Sequence, residues 1–152
     1  PVTAANFLAY VRSGFYDQVL VHRVVKNFVV QIGLLSFEGL NENGLINWST
    51  KTGGLPIINE SNNGLSNTRA TLAMARTDDP DSASSQFFIN QGDNLGLDYG
   101  SIDSPDGYAV FARVYSGMPI VDDMAAERTT SLPGIGNEVP ARGVILESVR
   151  LL

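Results

Sequence analysis

Apolar residues fall along this chain in two rhythms. Between Thr3 and Gly14 they recur at helical spacing, at Phe7, Leu8 and Val11; with Thr3 as a candidate N-cap and Gly14 as a stop, this predicts an opening helix. From Val19 to Val25 and from Phe28 to Ile32 valine dominates, broken only by Lys26 and Asn27, which predicts two strands and a tight connection. The stretch from Leu34 to Asn67 is rich in Gly, Asn and Ser and reads as a long excursion around Trp48 and the short apolar piece Ile57-Ile58. Three further β-rich runs follow, at Thr71 to Arg76, Gln86 to Asn90 and Tyr108 to Val114. A helical face at Ile120, Val121 and Met124 lies within Pro119 to Ala126, and Val144 to Leu152 reads as a closing strand. Short strands with few helices favour a barrel or sandwich, and no repeat, low-complexity run or linker divides residues 1–152, so one domain is expected.

Composition narrows the chemistry. The 152 residues suffice for a core without staples or metals, and a hydrophobic share of 43% is that of a folding chain. Ten Lys and Arg against sixteen Asp and Glu give a net charge of -6, which argues against a nucleic-acid partner. No apolar stretch approaches the roughly 18 residues of a membrane helix, and no membrane association is expected. The absence of cysteine excludes thiol nucleophiles and zinc-thiolate sites.

His22, the single histidine, would have to serve any imidazole-based hydrolase, and no Gly-x-Ser-x-Gly elbow accompanies it. A hydrogen-bonded structural role fits better, and strand alternation predicts that His22 and Arg23 point to opposite faces. The acidic group Asp78, Asp79 and Asp81 lacks the glycine and terminal glutamate of a calcium loop and reads as a solvated turn. No metal site and no cofactor are expected. Arg23 stands out, because a permanent cation inside an apolar strand needs either a surface for its stem or a function. Gln86 and Phe88 alternate onto one face of their strand and leave Phe87 and Ile89 for the other, although Phe88 alone reads more readily as a core residue than as a ligand contact.

The run Val21-His22-Arg23-Val24-Val25-Lys26-Asn27-Phe28-Val29-Val30-Gln31-Ile32-Gly33 closely resembles the signature of cyclophilin-type peptidyl-prolyl cis-trans isomerases. Asn63 to Arg69, Leu72 to Thr77 and Asp81 to Asn90 are similar to bacterial members in particular, and matches at Tyr108 to Phe111 and Val144 to Val149 extend the likeness across nearly the whole chain. The resemblance implies a mainly β fold, an antiparallel barrel capped by two helices, and isomerisation of X-Pro bonds in protein folding. It places the catalytic arginine on Arg23, with Phe28 and Gln31 beside it. It places substrate contacts on Met74, Ala75, Arg76, Gln86, Phe88, Leu97 and Tyr108. Gly96 stands where the family has an aromatic, which implies weak cyclosporin binding; Val21 and Ile32 replace a usual phenylalanine and glycine. The family begins with a strand pair ahead of the first helix, and here that pair is missing, as if trimmed. The implied partners are proline-containing peptides and unfolded clients, the implied state a monomer, and the implied compartment the bacterial periplasm or cytoplasm. The rival reading is a module of the same fold that binds proline peptides without catalysis.

Overall fold

The computed structural model describes residues 1–152. Helix α1 (Val2–Arg12) is followed by β1 (Val19–Val24), β2 (Val29–Leu40) and β3 (Ile46–Thr50). Then come β4 (Thr71–Met74), β5 (Phe87–Asn90), β6 (Val110–Arg113), α2 (Met118–Ala126), β7 (Thr129–Leu132), β8 (Gly136–Pro140) and β9 (Ile145–Leu146). A seven-stranded antiparallel sheet runs in the order β6-β4-β5-β2-β1-β9 with β3 on β2, and β7 and β8 form a separate hairpin. The mainly β architecture with two helices is the one anticipated.

Several boundaries differ from expectation. The excursion from Leu34 is a strand hairpin over its first half, because β2 continues to Leu40 and the chain folds back on it as β3. Only Ile145–Leu146 of the closing run pairs as strand. The hairpin β7–β8 has no counterpart among the expected elements. Thr3 is not an N-cap: it lies inside α1, and the first amides are capped from afar by Glu60, which accepts from the N–H groups of Val2 (2.9 Å) and Thr3 (2.7 Å). That carboxylate at a helix N-terminus is also favoured by the helix dipole, and its pKa is lowered by these bonds, led by the Thr3 hydroxyl.

Two apolar clusters sit on opposite faces of the sheet. The main core joins Val19, Val21, Val30, Ile32 and Met74 to α1 and α2, and Phe7, Tyr16 and Phe87 stack at 5.2–5.3 Å between centroids. Tyr16 is fully buried, its hydroxyl donates to the Ser85 carbonyl at 2.8 Å, and burial pushes its phenol well above the ordinary value. The smaller cluster holds Val29, Ala73, Phe88 and Val110. Adjacent residues of one strand thus serve both faces, Phe87 one and Phe88 the other, as alternation requires.

Two irregularities between β1 and β2 shape the surface around Arg23. Leu20 opposes Leu35 but Val21 opposes Ile32, so β2 carries two extra residues, Gly33 and Leu34. Gly33 has φ +106, and a Cβ there would stand 2.5 Å from the Ser85 carbonyl oxygen, so only glycine lets β2 approach the start of β5. Next, Val21 and Arg23 oppose Ile32 and Gln31, so β1 in turn carries one extra residue, a bulge at His22.

Candidate active site

The bulge redirects the residues around Arg23. Alternation predicts that His22 and Arg23 face opposite ways, but two residues set against one break the alternation, and both border a cavity of about 260 Å³ beside the sheet. His22 is 4% exposed and neither ring nitrogen has a hydrogen-bond partner, with Gln86 alongside but out of bonding geometry. The expectation of a hydrogen-bonded histidine is therefore corrected. Burial, which penalises the imidazolium, lowers its pKa to about 4. A neutral, enclosed imidazole at physiological pH is poorly placed to shuttle protons.

On the other side of Arg23 lies a cleft of about 290 Å³ with six hydrophobic residues among its nine. Phe28 enters it from the turn joining β1 to β2. Asn27 adopts φ +60 there, and the Phe28 carbonyl accepts from the Gln91 amide (2.8 Å) and from Asn94 Nδ2 (2.9 Å). Val29 and Gln31 follow along β2, Ala75 and Arg76 come just after β4, and Phe88 rises from β5. Leu97 and Tyr108 close the far end, tied by a 2.8 Å bond from the Tyr108 amide to the Leu97 carbonyl. Phe88 is only 4% exposed and meets Tyr108 edge to face at 5.7 Å, making a rigid apolar floor.

Eight of the ten residues expected from the sequence thus border one cleft: Arg23, Phe28, Gln31, Ala75, Arg76, Phe88, Leu97 and Tyr108. Met74 does not join them, being 2% exposed within the main core. Its neighbours Ala73 and Ala75 take the cleft side, as strand parity requires. Gln86 borders the adjoining polar cavity, where its Oε1 accepts from Gln31 Nε2 at 3.1 Å. Val29 is an addition that parity with Gln31 would have suggested. Glu138 on β8 had no signal in the sequence: its Oε2 accepts from Arg23 Nε at 2.6 Å across 115 positions of chain.

The two arginines of the cleft are held differently. Arg76 lies 4.4 Å from the Tyr108 ring centroid, and each of its three nitrogens donates: to the Gly107 carbonyl, the Thr77 carbonyl and the Ser104 hydroxyl. Arg23 lies 5.7 Å from the Phe28 ring centroid and makes a single bond, to Glu138, so its two Nη nitrogens have no protein acceptor. An apolar floor with an uncommitted guanidinium at its edge can seat a small ring and donate hydrogen bonds to an atom next to it.

Comparisons with known proteins agree with this geometry. The family model described as "Cyclophilin type peptidyl-prolyl cis-trans isomerase/CLD" matches residues 1–151. A peptidyl-prolyl cis-trans isomerase of Acinetobacter baylyi is 46% identical over 151 residues, which cover 99% of this chain and 74% of that protein. The peptidyl-prolyl cis-trans isomerase B of Escherichia coli is 47% identical over 150 residues, 98% of this chain and 85% of that one. A crystal structure of a Cryptosporidium parvum cyclophilin-type isomerase, determined in the presence of the dipeptide Ala-Pro, superposes with a TM-score of 0.73. It covers 99% of this chain and 84% of that one, and at 22% identity it speaks for the fold. Match, relatives and architecture together place this chain in the cyclophilin-type peptidyl-prolyl cis-trans isomerase family.

Proposed function

We propose that residues 1–152 act as one isomerase domain that accelerates rotation about X-Pro bonds of unfolded or flexible proteins, with Arg23 stabilising the twisted amide. The observation that carries this reading is the Arg23 guanidinium beside Phe28, with both Nη nitrogens unbonded at the edge of an apolar cleft. Amide resonance sets a barrier of about 18–20 kcal/mol, so uncatalysed exchange takes tens to hundreds of seconds. Twisting the bond interrupts resonance and leaves a lone pair on the prolyl nitrogen. A guanidinium beside that nitrogen donates to it strongly only in the twisted state, and such selective contact lowers the barrier. Each 1.36 kcal/mol is about tenfold, so a few preorganised donors in a sheltered cleft supply a large acceleration without nucleophile or metal.

The remaining residues hold the substrate. Phe28, Phe88 and Leu97 grip the proline ring by apolar contact. Gln31, whose Nε2 donates to Gln86, keeps its Oε1 as an acceptor for the peptide backbone, and Gln86 fixes that orientation. Ala75 leaves room for the chain beside the ring, and Arg76 and Tyr108 form the far wall. Met74 supports this wall from the core side. A proline-containing peptide is the substrate class, a reading supported by the Ala-Pro dipeptide with which the Cryptosporidium parvum isomerase was crystallised. We further propose that the protein works as a monomer and binds cyclosporin weakly, because Gly96 offers no aromatic surface beside Leu97.

Exchange spectroscopy on an X-Pro peptide tests the function. An isomerase merges or broadens the cis and trans resonances at sub-stoichiometric protein. Resonances that shift without faster exchange would mark a proline-peptide binder instead.

A further inference from the structure

We propose that Glu138 is a positioning residue for Arg23: it holds the guanidinium by Nε alone and so keeps both Nη nitrogens available to the prolyl amide. This rests on the role assigned to Arg23 above. In the β1–β2 register Gln31 is the cross-strand partner of Arg23. A carboxamide oxygen there could accept from the guanidinium, yet no bond joins Gln31 to Arg23, and the Gln31 side chain is instead anchored through its Nε2 to Gln86 at 3.1 Å. The neighbouring His22 offers nothing either, since its nitrogens are enclosed and unpaired. Without a further contact the longest and most flexible side chain of the cleft would be free to swing, although catalysis needs it fixed.

The hairpin β7–β8 supplies that contact. It lies outside the main sheet, and β8 packs along β1, bringing Glu138 over the bulge. The pairing is single, Oε2 to Nε at 2.6 Å. A two-bond fork would occupy one Nη as well, and the single contact instead holds the guanidinium at Nε and leaves both Nη nitrogens open. The pair is poorly suited to a stabilising role, because the two side chains are 37% and 46% exposed and ion pairs this open contribute little to folding. Its effect lies in where the cation points. The hairpin residues Ile135, Gly136 and Asn137 also wall the polar cavity behind Arg23, so the brace comes from a unit that touches the cleft only through this arginine.

The test compares Glu138→Ala and Glu138→Gln in a proline-isomerisation assay, with an NMR record of the Arg23 Nε–H resonance. Glu138→Ala is expected to lower kcat about tenfold with KM within about twofold, since a correctly aimed Arg23 matters most in the twisted state. Melting temperature stays at the wild-type value, and the Nε–H resonance loses its protection from solvent exchange. Glu138→Gln keeps an oxygen that accepts from Nε and is expected to hold kcat within about threefold of wild type. An unchanged or raised kcat in Glu138→Ala would overturn the proposal, as would a Gln variant as slow as the Ala variant, which would assign the effect to charge. An inactive wild-type protein would instead sink the isomerase reading; with an active wild type, either of those two outcomes overturns the proposal alone.

Discussion

The two walls of the cleft carry one arginine each, and they use it in opposite ways. On the wall after β4, Arg76 spends Nε, Nη1 and Nη2 on three oxygens and lays its face on Tyr108. On the β1 wall, Arg23 spends Nε on Glu138 and nothing else. A guanidinium has five N–H donors in a fixed fork, so the number already engaged decides what is left for a substrate. Arg76 is tied to the loop around Gly107, whereas Arg23 keeps both Nη nitrogens for the role proposed for it. Identity of residue type says nothing about this difference; it follows from whether neutral acceptors surround the cation or a single carboxylate stands behind it.

The contrast is broken most severely at Arg23. Arg23→Ala is expected to reduce kcat/KM by about 100- to 1000-fold in a proline-isomerisation assay, the range seen when one transition-state donor is removed. Its melting temperature should remain within a few degrees of wild type, since the ion pair removed with it is half exposed.

A second effect belongs to the neutral histidine behind that arginine. Its folded pKa of about 4 lies below the unfolded value of 6.5, so in between the unfolded chain binds the extra proton and the folded chain does not. Stability is therefore complete above about pH 6.5 and falls as the pH drops toward 4, by roughly 3 kcal/mol for the full shift. Denaturant titrations across this window should show that slope, and a His22→Gln variant should flatten it. A slope unchanged by the substitution would show that the imidazole is not kept neutral by the fold.

The smallest effect sharpens the comparison from the other wall. Arg76→Ala removes three hydrogen bonds to neutral acceptors, so it should cost stability, about 2 kcal/mol by chemical denaturation. With the isomerase donor intact, kcat should stay within about fivefold of wild type. A larger loss of turnover than of stability would place Arg76 among the groups that touch the amide.

Much of this was legible from residue order, and the failures have local causes. Valine-rich β1 and β2 declared themselves, and parity separated Phe87 from Phe88 and would have removed Met74 from the cleft had it been applied there. The resemblance carried Arg23, Phe28, Gln31 and Tyr108 to positions that the fold brings to one cleft. Parity failed at His22 and Arg23 because register shifts arise from pairing between strands, which no single strand encodes. The hairpin β7–β8 escaped because Thr-Thr-Ser-Leu and Gly-Asn-Glu-Val-Pro are mostly exposed and lack an alternating apolar face. Glu138 escaped with it, since a contact spanning 115 residues has no local trace.

The most direct test of the central claim places a saturating X-Pro peptide on Arg23→Ala and records exchange between its cis and trans forms. The peptide resonances are expected still to shift on binding to the Phe28–Phe88 floor while interconversion drops to near its uncatalysed rate. Wild-type exchange in that variant would contradict a role for the guanidinium in turning the bond.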